Sequence, residues 1–128
     1  MLRHTALVTC LAASAVLFAG CIAGINVGIG PDDDPPSVNL AATAVSAAPG
    51  ERIGLVAAAS DDYRVVEVAF YRVDIGGNTL LARDNAEPYT FETTLPTDAT
   101  GSVRFFARAV DDARQASDSA EVTVAVQR

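Results

Sequence analysis

The sequence contains no lysine and no tryptophan, and its 128 residues include one histidine, His4, and two cysteines, Cys10 and Cys21. Past Cys21 the chain therefore has no imidazole, thiol or side-chain amine. A serine in that stretch has neither a histidine nor a lysine to take its proton, and a Schiff base has no side-chain nitrogen to form on. Zinc sites built on His and Cys are excluded for the same reason. Basic residues are also scarce: nine, all arginine, against sixteen Asp and Glu, for a net charge of −7. Such a balance argues against nucleic acid or anionic lipid surfaces as partners, because phosphate binding needs clustered positive charge. It is compatible with cation binding or simply with solubility.

What is present begins with a basic tip at Arg3, an apolar stretch from Ala6 to Phe18, and the run Leu17-Phe18-Ala19-Gly20-Cys21. The thirteen residues of the apolar stretch fall within the ~7–15 of a secretory signal core and short of the ~20 that cross a bilayer. An exported chain with a cleaved leader fits this order. A retained anchor stays open on the residues alone, since no charge falls between Thr5 and Pro31, although four glycines in that segment weigh against it. Small residues immediately before a cysteine resemble the lipobox of bacterial lipoproteins. That resemblance implies a leader over residues 1–20, a diacylglyceryl group on the Cys21 thiol, and a mature chain that starts at Cys21 with an acylated amine. The chain departs from the pattern at Phe18, where the family usually has Leu. Ile22 after the cysteine, in place of Asp, implies the outer membrane as destination. Several acyl chains anchor a protein firmly, since each buried methylene contributes ~0.8 kcal/mol. Cys10 would leave with the leader, so a disulfide within the mature chain is not expected.

Residues 21–36 read as a tether. Glycine alternates with apolar residues up to Gly30, and Pro31-Asp32-Asp33-Asp34-Pro35-Pro36 then keeps the chain extended and solvated. From Ser37 the pattern changes to short alternating runs separated by turn residues at intervals of about ten, which is how an all-β sandwich reads. Seven antiparallel strands are expected near residues 37–42, 52–58, 65–73, 79–83, 89–95, 102–110 and 120–126. Alternation places Ile53, Leu55 and Ala57 inward, with Val66, Val68 and Phe70, then Val103, Phe105, Ala107 and Ala109, and finally Val122, Val124 and Val126. The twenty-four alanines favour helix by propensity, but they lack the leucine spacing of an apolar helical stripe. They predict a light core, and about ninety residues suffice for one domain of modest stability.

Several stretches resemble the bacterial immunoglobulin-like modules of surface and secreted proteins, which look similar to fibronectin type III domains. They are Pro36-Ser37-Val38-Asn39-Leu40, Ala57-Ala58-Ala59-Ser60-Asp61-Asp62, Val66-Glu67-Val68-Ala69-Phe70-Tyr71, Glu87-Pro88-Tyr89-Thr90-Phe91, and Phe105-Phe106-Ala107-Arg108-Ala109-Val110-Asp111. Together they cover nearly all of residues 37–128. The resemblance implies an immunoglobulin-like β-sandwich without the cysteine pair and tryptophan of antibody domains. It implies no particular function, because one sandwich hosts many.

In that topology the segment before the first strand, the loop after the second and the loop before the last meet at one pole. Asp32, Asp33, Asp34, Asp61, Asp62, Asp111 and Asp112 would converge there. Calcium takes about six to eight oxygen ligands, so these carboxylates are a candidate site that would stiffen the tether against the domain. The rival reading is that Asp favours turns and solvated loops. Their spacing is not that of an EF-hand. Strand parity marks a second candidate surface: Tyr71 and Phe106 point outward on neighbouring strands, with Arg104 and Arg108. Aromatic and arginine side chains dominate binding hot spots. The alternative is a purely structural contact, including a Glu67–Arg108 pair. Tyr63, in a loop, offers a face for stacking on sugar.

A non-catalytic, lipid-anchored envelope protein whose domain binds or adheres to another protein is the leading expectation. A carbohydrate-binding surface module and a calcium-stiffened accessory without specific ligand are the alternatives. Paired carboxylates acting as acid and base would need a cleft that so small a sandwich does not offer.

Overall fold

The computed structural model describes residues 33–128. The expected leader, Cys21, Asp32 and the rest of the tether through residue 32 lie outside the described residues. Those described form nine strands and no helix: β1 (Ser37–Ala42), β2 (Ser46–Ala47), β3 (Arg52–Ser60), β4 (Val65–Asp74), β5 (Gly77–Asp84), β6 (Tyr89–Thr94), β7 (Ser102–Asp111), β8 (Ala116–Asp118) and β9 (Val122–Val126). One sheet has the order β1-β3-β6, and the other β2-β9-β7-β4-β5 with β8 also on β7.

The expected seven strands are all present, and two short ones join them. Two residues at Ser46–Ala47 are too few to show alternation, and they pair with β9 in parallel, Ser46 opposite Ala125 and Ala47 opposite Val126. The other, β8, lies ahead of the expected final run, and Ser119 stands between it and β9, which starts at Val122. The Ser119 hydroxyl accepts the Ala107 N–H at 3.0 Å while its own N–H donates to the Ala107 carbonyl at 2.8 Å. A side chain thus replaces one backbone acceptor of the ladder, leaving β8 and β9 to follow β7 on either side of it.

The inward faces follow the alternation, with one exception. Leu55, Val68, Phe70, Phe105, Ala107, Ala109 and Val124 are fully buried between the sheets, together with Ile53, Ala57, Leu95 and Tyr89. Phe70 and Phe91 meet across the core with ring centroids 6.1 Å apart. Val66, expected inward, is not part of this core; Val65 packs on it instead. The cause is a bulge: Val65 pairs with Asp111 and Glu67 with Val110, so an extra residue on β4 reverses the parity at its start.

Gly54 shows how tightly β3 is held near its start. Thr43 continues the β1 ladder past its end, donating its N–H to the Gly54 carbonyl at 2.9 Å and accepting the Gly54 N–H on Oγ1 at 2.8 Å. A Cβ on Gly54 would stand 2.8 Å from Thr43 Cγ2. Gly54→Ala is expected to destabilise the domain by about 1–3 kcal/mol, read as a lower urea midpoint; an unchanged midpoint would mean that the threonine simply swings away.

The β4–β5 hairpin carries a compact charged cluster. Asp74 takes two bonds from the Arg72 guanidinium, at 2.7 and 3.1 Å, and one from the Thr79 hydroxyl. These bonds, Arg72's first, hold the Asp74 carboxyl below its usual range. A carboxyl lowered on folding adds stability that is present above its unfolded value, about 4, and lost as pH falls through the folded one. Asp74→Asn should flatten the fall in urea midpoint between pH 5 and pH 2; an identical slope in both proteins would remove this pair from the account.

Candidate functional site

Two places concentrate chemistry, an acidic pole and an aromatic outer face. The pole arises where inward rows run out of apolar residues. On β7 the buried positions Val103, Phe105, Ala107 and Ala109 are followed by Asp111, also inward and only 1% exposed. Past β3, the row Ile53, Leu55, Ala57 and Ala59 is continued in sequence by Asp61.

Three segments are bonded together here. Asp34 donates its N–H to Asp62 Oδ2 at 3.2 Å, Gln115 Nε2 donates to the Asp33 carbonyl at 2.8 Å, and Asp112 donates its N–H to the Arg64 carbonyl at 3.2 Å. Each inner carboxylate is half satisfied. Asp61 Oδ2 accepts the Tyr63 and Arg64 N–H groups at 3.0 and 2.9 Å, and Asp111 Oδ1 accepts those of Ala113 and Gln115 at 2.9 and 2.7 Å. Asp33 Oδ1, Asp61 Oδ1 and Asp111 Oδ2 are buried with no hydrogen-bond partner among the described residues.

Of the seven aspartates expected at this pole, Asp33, Asp61 and Asp62 can each present an oxygen within 4.8 Å of the others. Asp111 is not in that close group, but its charge acts on Asp33. Loss of solvent, then the charges of Asp111 and Asp62, push the Asp33 carboxyl upward. Asp34 contributes its backbone, and Asp112 is exposed and outside the close group. Gln115 is the residue that sequence reasoning missed. It bonds both Asp111 and Asp33, and only the closed β7–β8 loop brings it there.

On the outer face, Tyr71 and Phe106 lie opposite each other on β4 and β7, with rings 4.9 Å apart and 6° from parallel. The Arg108 guanidinium lies 5.4 Å from the Tyr71 ring centroid and is fixed by two bonds to Asp118, at 2.6 and 3.0 Å. Arg104 pairs with Glu121 at 2.7 Å. The alternative Glu67–Arg108 pair does not form, because Glu67 is taken by Arg83 at 2.7 Å and β8 brings Asp118 opposite Arg108. Phe106 points outward as parity requires but is only 6% exposed, so Tyr71, Arg104 and Arg108 are what this surface presents. Elsewhere, Tyr63, Arg64, Glu87 and Tyr89 line an open groove of about 300 Å³. Burial, then the charges of Glu87 and Asp84, push the Tyr89 hydroxyl upward.

A comparison with protein-family models finds no match, and a comparison with curated proteins finds none either. Among solved structures, the chain is similar to the fibronectin(III)-like modules of Clostridium thermocellum CbhA, at 25% identity and a TM-score of 0.59 over 73% of this chain and 47% of that one. It therefore spans about half the length of that structure. It is also similar to the PKD domain of an M14-like peptidase from Thermoplasmatales archaeon SCGC AB-540-F20, at 18% identity and a TM-score of 0.54, covering 76% of this chain and 100% of that domain. The fold is thus an immunoglobulin-like sandwich of the fibronectin III and PKD kind, an architecture consistent with a non-catalytic module.

A double-mutant cycle on Tyr71 and Phe106, each changed to Ala, should return a coupling of about 0.5–1.5 kcal/mol in urea unfolding. Phe106→Ala alone should be the costlier change because its ring is buried. Additive effects would show that the two rings are neighbours without interaction.

Proposed function

We propose that this chain is a non-catalytic, lipid-anchored protein of the cell envelope whose sandwich presents the outer face of β4 and β7 to a protein partner. One observation carries the partner face: Tyr71 is braced from behind by Phe106 and flanked by an Arg108 already fixed through Asp118. Ordering before contact lowers the entropy lost on binding, and a rigid aromatic beside arginine is the chemistry of interface hot spots. The anchor is supported by the residues from Arg3 to Cys21, and the outer membrane by Ile22. The absence of histidine, lysine and cysteine after Cys21 supports a role without catalysis. A glycan-binding role is the second reading, favoured by the half-exposed Tyr63 on the wall of the groove with Arg64 and Glu87.

The test has two independent arms. Fed a labelled fatty acid, cells should incorporate it into the wild-type protein and not into Cys21→Ser; equal labelling, or none in either, defeats the anchor. For the partner, a photo-crosslinking residue placed at Thr123, beside Arg104 across β7 and β9, should give a discrete adduct that Tyr71→Ser abolishes. An adduct indifferent to Tyr71→Ser defeats the proposed face, and retention on polysaccharide lost on Tyr63→Ala would favour the glycan reading.

A further inference from the structure

The acidic pole poses an electrostatic problem that the described residues do not solve by themselves. Asp33, Asp61, Asp62 and Asp111 come together there, and among the described residues none of them pairs with an arginine. The ion pairs formed are Arg52–Glu92, Arg72–Asp74, Arg83–Glu67, Arg104–Glu121 and Arg108–Asp118. A buried carboxylate oxygen left without a partner is costly, and three of them share one end of this sandwich.

Asp111 separates this group from an ordinary acidic surface patch. It is 1% exposed, it closes the inward row of β7, and its Oδ2 has no donor. Its charge also weighs on Asp33 more than that of Asp62 or Asp61 does. Turn formation explains only half of each inner carboxylate. The oxygens that bond to loop amides hold the loops, while the opposite oxygens of the same groups stay unpaired. Solvation explains Asp62, which is exposed, but not Asp111.

We propose that this pole is a calcium site, with Asp33, Asp61 and Asp62 as ligands and Asp111 as a fourth carboxylate from the core side. Every donor is a hard oxygen, which selects calcium or magnesium over the transition metals. Calcium accepts an irregular cage completed by water, whereas magnesium demands near-octahedral geometry and dehydrates reluctantly. Bound calcium would join the segment ahead of β1, through Asp33, to the β3–β4 loop and the end of β7. It thereby fixes the direction in which the chain enters the sandwich. This is independent of the lipid anchor and of the outer face.

Thermal melts of the purified full chain in EDTA, calcium and magnesium decide the matter. With a dissociation constant in the millimolar range of extracellular sites, 10 mM calcium should raise the melting temperature by roughly 5–10 °C. Magnesium at the same concentration should raise it far less. Asp33→Asn, chosen because it lies ahead of the first strand and leaves Asp111 in place, should remove most of the calcium shift. In EDTA the same variant should melt no lower than wild type, since it relieves crowding of like charges. Asp112→Asn should keep the full shift. No response to millimolar calcium, an equal response to magnesium, or a full response in Asp33→Asn would each overturn the assignment.

Discussion

The structure depends on inward rows from both sheets buried in one core that contains neither cysteine nor tryptophan. On β3 the row is Ile53, Leu55 and Ala57; on β7 it is Val103, Phe105, Ala107 and Ala109. Each fully buried large aliphatic or aromatic side chain contributes about 1.5–3 kcal/mol, and alanine much less. The weight therefore falls on a few large residues, Phe70, Phe105, Leu55 and Leu95 above all. The alanines at 107 and 109 are fully buried but add little apolar area.

Charge is distributed unevenly on this frame. Five arginines are matched with carboxylates, mostly on exposed strand faces, where such pairs each contribute only about 0–1 kcal/mol. At the pole where β7 ends and β1 starts, carboxylates gather without an arginine partner among the described residues. That contrast gives the pole its chemical character: the faces are internally neutralised, and one end is left strongly anionic.

The outer sheet face is built on the opposite principle. Arg108 serves two neighbours at once, its charge held by Asp118 and its planar group near the Tyr71 ring. The Asp118 hydrogen bonds are the main reason its pKa is raised. A surface arranged this way is ordered before anything touches it. The sandwich therefore offers two chemically distinct regions, an acidic end and an aromatic face whose arginines are already paired.

Period-two alternation made the strands, most inward residues and the convergence of three acidic loops legible in the sequence, because each is a local property of six to ten residues combined with one familiar topology. Ile53, Leu55, Phe70, Phe105 and Val124 were all readable in this way, and so was the outward placement of Tyr71 and Phe106. Other features needed the register between strands. The bulge after Val65 moves a residue that alternation alone assigns to the core, and Ser119, bonded to Ala107 twelve residues away, separates the unforeseen β8 from β9. Which carboxylate pairs with Arg108, how deeply Phe106 is covered, and which of the polar aspartates keep an unpaired oxygen were decided by tertiary structure. The physical reason is that a side chain's direction is set by its own strand, whereas its partner and its access to water are set by whatever other segments close around it.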